Sequence, residues 1–166
     1  MNIFDPRTLS EPVYKALSDL RRPYEEAWQK ATREIDKKIY YNHLKEQKNQ
    51  AIELYTYIST WGLMRCKAEE KYLDKRKLGE PEVTRVEDKA KIEQYGKREV
   101  IQKYFSCLEN LAASSDTKDL ATDRGLDVLK GLQADEYLGL MGLGLELANE
   151  FSFWANAVYH DIKGDQ

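Results

Sequence analysis

From Trp28 to Ile58, apolar side chains recur at intervals of three and four residues, and no stretch of the chain alternates apolar and polar residues with a period of two. The first spacing lays residues along one stripe of a helix, whereas a half-buried strand needs the second. The chain is therefore expected to be all-α. Only four prolines and nine glycines interrupt its 166 residues, few for an architecture that needs many tight turns. The 33% of charged residues suit long solvated helices, and 42% of apolar residues are too many for a disordered chain. A chain of this length fits one domain, 1–166, with a core of its own.

Ser10 before Glu11-Pro12 reads as a helix start, with Val13, Leu17 and Leu20 on one face. Arg21-Arg22-Pro23 is expected to end that helix, because the residue before proline is pushed out of helical geometry, and Pro23 suits the first turn of the next. Trp28, Ala31, Ile35 and Ile39 form one stripe; Leu44, Ala51, Tyr55 and Ile58 form another, about half a turn round. A break or strong bend is therefore expected near Asn42, with the following helix running to about Lys77. Gly62 inside that helix marks a close contact or a kink.

Leu78 to Val83 reads as a loop, and Thr84-Arg-Val-Glu87 has capping-box spacing for a helix carrying Ile92, Val100, Tyr104, Cys107 and Leu111 inward. Ala113-Ser114-Ser115-Asp116 should end it and cap a shorter helix holding Leu120, Val128 and Leu132. The last segment, Asp135 to about Ile162, is apolar most of the way round, as in a helix central to a bundle or lying in an interface. Gly139, Gly142 and Gly144 in it read as small residues that let helices approach. The expectation is a single-domain bundle of about five to six helices, with residues 75–97 a charged linker that is free to move.

Chemistry is hard to find. The two histidines, His43 and His160, stand in no Glu-x-x-His, His-Glu-x-x-His or Arg-x4–6-His spacing. No glycine-rich phosphate loop occurs, and Asp116, Asp119, Asp123 and Asp127, on one expected helix face, would not converge on one ion. No catalytic residue, metal ligand or cofactor is expected. Cys66 and Cys107 lack Cys-x-x-Cys spacing and read as buried free thiols in a reducing cytosol. Met1 to Leu9 does not look like a signal peptide, and the longest apolar run, Tyr137 to Leu145, is too short to span a membrane. A cytoplasmic protein that works by binding other macromolecules is the expectation.

The net charge of −3 is unevenly spread, with +4 on residues 1–104 and −7 on residues 105–166. Lys30, Arg33, Lys37 and Tyr41 fall at spacings of three, four and four; Lys45 and Lys48 continue the series, and Arg65, Lys67, Lys71 and Lys75 follow. Such a ridge can touch successive phosphates, with Tyr40 or Tyr41 available to stack on a base. The same pattern also describes a solvated face laced with salt bridges, and Glu26 and Glu34 lie beside it.

Three segments resemble the small all-helical subunit of type III CRISPR effector complexes, most nearly its Cmr (type III-B) form. They are Ala51-Ile-Glu-Leu-Tyr-Thr-Tyr-Ile-Ser-Thr-Trp-Gly62-Leu63, Val100-Ile-Gln-Lys-Tyr-Phe-Ser-Cys-Leu108, and Glu136-Tyr137 through Leu145-Glu146-Leu147 to Trp154. The likeness covers about two thirds of the chain, from Leu44 onward, in apolar positions; Ala155-Asn156-Ala157 stands where family members often carry a basic residue. The resemblance implies a non-catalytic subunit whose copies stack into a minor filament beside other CRISPR effector subunits and contact the target RNA paired with its guide. A helical protein-interaction or regulatory module, such as a phage or antitoxin-like inhibitor without nucleic-acid binding, is the other reading. The RNA-contacting residues under the first reading are Lys30, Arg33, Lys37, Tyr41, Lys45, Lys48, Arg65 and Lys67.

Overall fold

A computed structural model describes residues 5–163, leaving Met1–Phe4 of the leader reading and the last three residues of the 1–166 span outside the described residues. Among the described residues the chain forms six α-helices and no strand: α1 (Arg7–Lys30), α2 (Glu34–Tyr72), α3 (Val86–Lys91), α4 (Tyr95–Ala112), α5 (Gly125–Gly131) and α6 (Ala134–Val158). The all-α bundle of five to six helices is what the periodicity predicts. Helices α1, α2, α4 and α6 surround one core, in which Leu17, Leu54, Ile58, Tyr104, Phe105 and Phe151 are fully buried.

Several expected boundaries move, each for a physical reason. Helix α1 begins at Arg7 rather than after Ser10, because the Asp5 carboxylate accepts the Arg7 backbone N–H at 3.0 Å. It then runs straight through Pro12 and Pro23. Proline removes one backbone hydrogen bond and crowds the preceding turn, but tertiary contacts flank Pro23. Arg21 and Tyr24 are both buried, and the Arg21 guanidinium grips Asp161 through two bonds of 2.6 and 2.7 Å and donates to the Val158 carbonyl at 2.7 Å.

The break expected near Asn42 lies about ten residues earlier, where Ala31 and Arg33 are extended. Ile35 is consequently 62% exposed rather than inward-facing. The inner face of α2 is His43, Leu44, Gln47, Ala51, Leu54 and Ile58, one continuous stripe of which two members are polar. Those two polar residues made the apolar pattern seem to change phase. The real interruption is Gly62, with φ +86° and ψ 171°, after which α2 resumes and ends at Tyr72 instead of Lys77.

Thr84 caps nothing. Arg85 precedes α3, and its guanidinium bonds Glu87, so no capping box forms there. The expected long helix is two, because Gln94 adopts a left-handed conformation (φ 65°) between α3 and α4. Residues 86–91 and 95–97 of the charged segment are thus helical. After α4, Ser114 caps only the short 3-10 turn Ser115–Thr117, and Leu120 is buried in irregular chain outside any helix. The four aspartates therefore share no helix face; Asp119 is itself left-handed (φ 69°). A capping box does occur at α6, where Gln133 and Glu136 satisfy each other's backbone N–H. That helix stops at Val158, and Leu138 on it is exposed. Of its three glycines only Gly144 meets a close neighbour, the Tyr104 hydroxyl, which donates to the Gly144 carbonyl at 2.6 Å.

A polar knot ties the bundle. The Glu99 carboxylate of α4 accepts the Tyr24 hydroxyl (2.8 Å) from α1 and the Gln47 amide (3.2 Å) from α2, and it meets His43 Nε2 at 2.6 Å, which a carboxylate partner makes the protonated nitrogen. His43 is stacked on Tyr24 with ring centroids 3.9 Å apart. Gln47 in turn accepts the Tyr159 hydroxyl at 2.7 Å. Burial, and next the Glu99 charge, push the Tyr24 phenol far above its ordinary pKa, so it remains a donor. Removing the carboxylate strands three donors among helices packed together. Glu99→Ala is expected to destabilise the fold by about 3 kcal/mol, and Glu99→Gln by less. Urea denaturation reads this, and a loss below about 1 kcal/mol for the alanine variant would show that the knot is not needed.

Cys66 and Cys107 are free and buried, as expected. Burial pushes their thiols up to about 12 and about 11. Both should resist a thiolate-selective reagent at neutral pH in the native protein and react together in denaturant; fast reaction of either in the folded protein would contradict this placement.

Candidate functional site

The expected ridge is not one continuous surface. Lys30 lies in the last turn of α1, and Arg33 stands just ahead of α2 across the extended break. Arg33 makes two bonds to Asp36 (2.8 and 3.0 Å), and Lys37 lies 3.4 Å from Glu34. Residues 30–38 therefore carry four cations and two acids, for a net +2. These pairs are solvent-exposed, and such pairs exchange readily with water or another anion.

The remaining members diverge. Tyr41 is half-buried, edge-on to Trp28 at 5.6 Å, and its hydroxyl accepts the Lys163 backbone N–H at 3.0 Å. Lys45 is half-buried. Lys48 is buried and donates its ammonium to the Ile162 carbonyl. Tyr41 and Lys48 thus hold the segment after α6 against α2. Lys67 is buried too, with its ammonium 2.5 Å from Glu70 and 5.0 Å from the Phe105 ring centroid. Of the eight residues, Lys30, Arg33, Lys37 and Arg65 reach the outer surface.

Beyond the Gly62 kink, α2 presents a different face to solvent. Arg65, Ala68 and Tyr72 share it, with Met64 and Lys71 at its edges, and all are exposed. The Arg65 guanidinium lies over the exposed Trp61 ring, 4.1 Å from its centroid, and Lys75 lies 5.0 Å over Tyr72, which is 70% exposed. Each pair couples a flat apolar surface to a positive charge, an arrangement suited to a base and its phosphate. No charge or spacing pattern in the sequence marks Trp61 and Tyr72 as site residues; Trp61 beside Gly62 is the one usable signal.

His43 belongs to the buried knot, and His160 is exposed and bonded to the Ala157 carbonyl. Among the described residues no group of three or more His, Cys, Asp or Glu side chains is placed to hold a metal ion, and no helix is long and apolar enough to cross a membrane.

No family model, curated protein or solved structure matches the chain.

The orientation of the Trp61–Tyr72 face depends on the kink. Gly62 sits in a backbone region essentially closed to residues with a Cβ. The adjacent Met64 N–H donates to the Tyr137 hydroxyl at 3.4 Å, which braces the kink from α6. Gly62→Ala is expected to cost roughly 1–3 kcal/mol in urea denaturation and to change the Trp61 fluorescence. Unchanged stability would mean the kink straightens without penalty.

Proposed function

We propose that this chain is a non-catalytic, RNA-contacting small subunit of a CRISPR-type ribonucleoprotein. The observation that carries the reading is the solvent-facing pair of aromatic–cation stacks, Trp61 with Arg65 and Tyr72 with Lys75, at one end of α2. Further support comes from the three segments that carry the resemblance. They form the second half of α2 as far as the kink, the middle of α4 and most of α6, and their inward residues Leu54, Ile58, Leu63, Ile101, Tyr104, Leu147 and Phe151 pack in one core. The Gly-Leu of the first segment has a structural reason, because position 62 demands glycine. Target RNA, guide RNA, neighbouring effector subunits and further copies of the chain are the partners this reading implies. In such an assembly the subunit contributes a few phosphate and stacking contacts per copy, which add through multivalency.

The second reading, a protein-interaction module without nucleic acid, is favoured by one other surface. Tyr14 of α1 and Phe153 of α6 are both exposed and pack edge-on against Trp154 at 5.5 and 5.2 Å. Exposed aromatic groups of this kind also anchor protein partners.

RNA binding by the assembled complex, measured across a salt series, separates the two. Arg65→Glu with Lys75→Glu is expected to weaken affinity and to reduce the slope of log affinity against log salt by roughly one to two. Trp61→Ala should weaken affinity by about tenfold with the slope unchanged, since a stacked base contributes about 1–3 kcal/mol. Lys30→Glu, Arg33→Glu and Lys37→Glu together test the strip across the α1–α2 break in the same way. Unchanged affinity in all three variants of an intact complex, or copurification of the chain with proteins but no RNA, would favour the second reading.

A further inference from the structure

A cleft of about 270 Å³ lies between the end of α2, the 74–78 segment, α4 and the 122–126 segment. Four cations line it: Lys67 and Lys71 from α2, Arg76 from the connecting segment and Arg98 from α4. Two are built in rather than displayed, since the Lys67 and Arg98 side chains are only 5% and 6% exposed.

The protein satisfies the two buried cations unequally. Arg98 Nε has no hydrogen-bond acceptor, and its Nη2 reaches Asp74 and Glu82 only at 3.5 Å each. Those two carboxylates belong instead to Arg76, at 2.8 and 3.0 Å. Lys67 Nζ is ion-paired with Glu70 at 2.5 Å. Buried charged donors are ordinarily matched. Arg98, with one donor unmatched and another only loosely met, marks the place of a missing acceptor in this cleft.

The acids of the cleft are Glu70, Asp74 and Asp123, with Glu82 reaching Arg76 and Arg98 from beside it. Asp74 is already claimed: hydrogen bonding to Arg76 chiefly, against burial, holds its carboxyl at about 2. Burial pushes the Glu70 carboxyl up, against the pull of the Lys67 ammonium paired with it. The cleft also has an apolar wall, Leu126 and the wholly exposed Leu78. An anion on an apolar or aromatic body would cover Leu78 as its oxygens met the cations. A carboxylate has only two oxygens; a phosphomonoester has three, enough to meet the Arg98 guanidinium and the rim cations Arg76 and Lys71 together.

We propose that this cleft is a binding site for a phosphomonoester group, such as that of a mononucleotide, with Arg98 and Lys67 at its floor and Arg76 and Lys71 at its rim. It opens beside the Trp61–Tyr72 face, which it meets at Lys71, and stands whether or not that face contacts RNA. A polynucleotide backbone would have difficulty bringing a phosphodiester down to the two buried cations, whereas a terminal phosphate would not.

The test is an amide NMR titration of the full chain with 5′-AMP, inorganic phosphate and, as the phosphate-free control, adenosine, at constant ionic strength. The expected result is saturable shifts confined to residues 67–78, 96–99 and 122–126, tighter than about 10 mM for 5′-AMP and weaker for inorganic phosphate. Adenosine should give none. Arg98→Gln should weaken 5′-AMP binding by about tenfold or more. Because that variant alters a buried residue, Arg76→Gln with Lys71→Gln, which changes only the rim, should also weaken it severalfold with the spectrum otherwise native. No saturable shift with either phosphate compound would overturn the proposal. So would equal binding of adenosine and 5′-AMP, shifts mapping elsewhere, or a rim variant that binds as tightly as the parent.

Discussion

Glu99 places one carboxylate where α1, α2 and α4 meet, and a charge in that position stays only if its surroundings satisfy it. Apolar packing is non-directional and would tolerate small slides of one helix past another. Hydrogen bonds of 2.6 to 3.2 Å from three side chains on two other helices do not. The register of α1, α2 and α4 is therefore set at this point. Gln47 extends the same network to Tyr159, just past α6, and Arg21 adds its two-pronged grip on Asp161. The four long helices are thus tied together by polar contacts on one side of a core built mainly of Leu, Ile and aromatic side chains.

The same knot explains which parts of the fold were legible beforehand. Helix class and number follow from the three-and-four spacing, since nothing else makes Leu44, Ala51 and Ile58 share a face. The position of the first break does not, because His43 and Gln47 occupy core positions with polar side chains, and a pattern read from apolar residues sees a gap there. Pro23 misleads for a related reason. Its local cost is offset by Tyr24 and Arg21, whose partners lie 75 to 140 residues away along the chain. Thr84 and Glu87 have capping spacing, but Arg85 takes the Glu87 carboxylate. Long-range contacts override local propensity at each of these points.

Surface function was less legible than fold. Spacing placed Lys48 and Lys67 with the other cations, yet both are drawn inward, Lys48 to the Ile162 carbonyl and Lys67 to Glu70. A lysine stem is long enough to lie along apolar surface, so sequence position says little about where its ammonium ends. Arg33 and Lys37 stay outside but with acids three residues away, a pairing that was visible in the sequence. Arg65 kept its expected exposure and gained a partner, Trp61, that matters only because Gly62 turns the chain between them. Arg98 gave no sign at all. Its isolation in a cleft is created by Asp74 and Glu82, which Arg76 holds more closely.

Charge balance limits what any of these surfaces can do alone. Near the cations of α2 the fold brings Glu69, Glu70 and Asp74 from the same stretch, and Asp123 from the acidic part of the chain. The long-range field is therefore weak, and attraction between this protein and a polyanion depends on short contacts made once the two surfaces already touch. Flat aromatic groups are effective in such a setting because stacking does not depend on net charge. Under the RNA-contacting proposal, a surface that combines few net charges with exposed Trp61 and Tyr72 would recognise a strand poorly at a distance and well when held against it. Such behaviour would suit a component fixed in place by neighbours, as that proposal requires, whereas a free-standing nucleic-acid binder needs a broad positive surface to find its target.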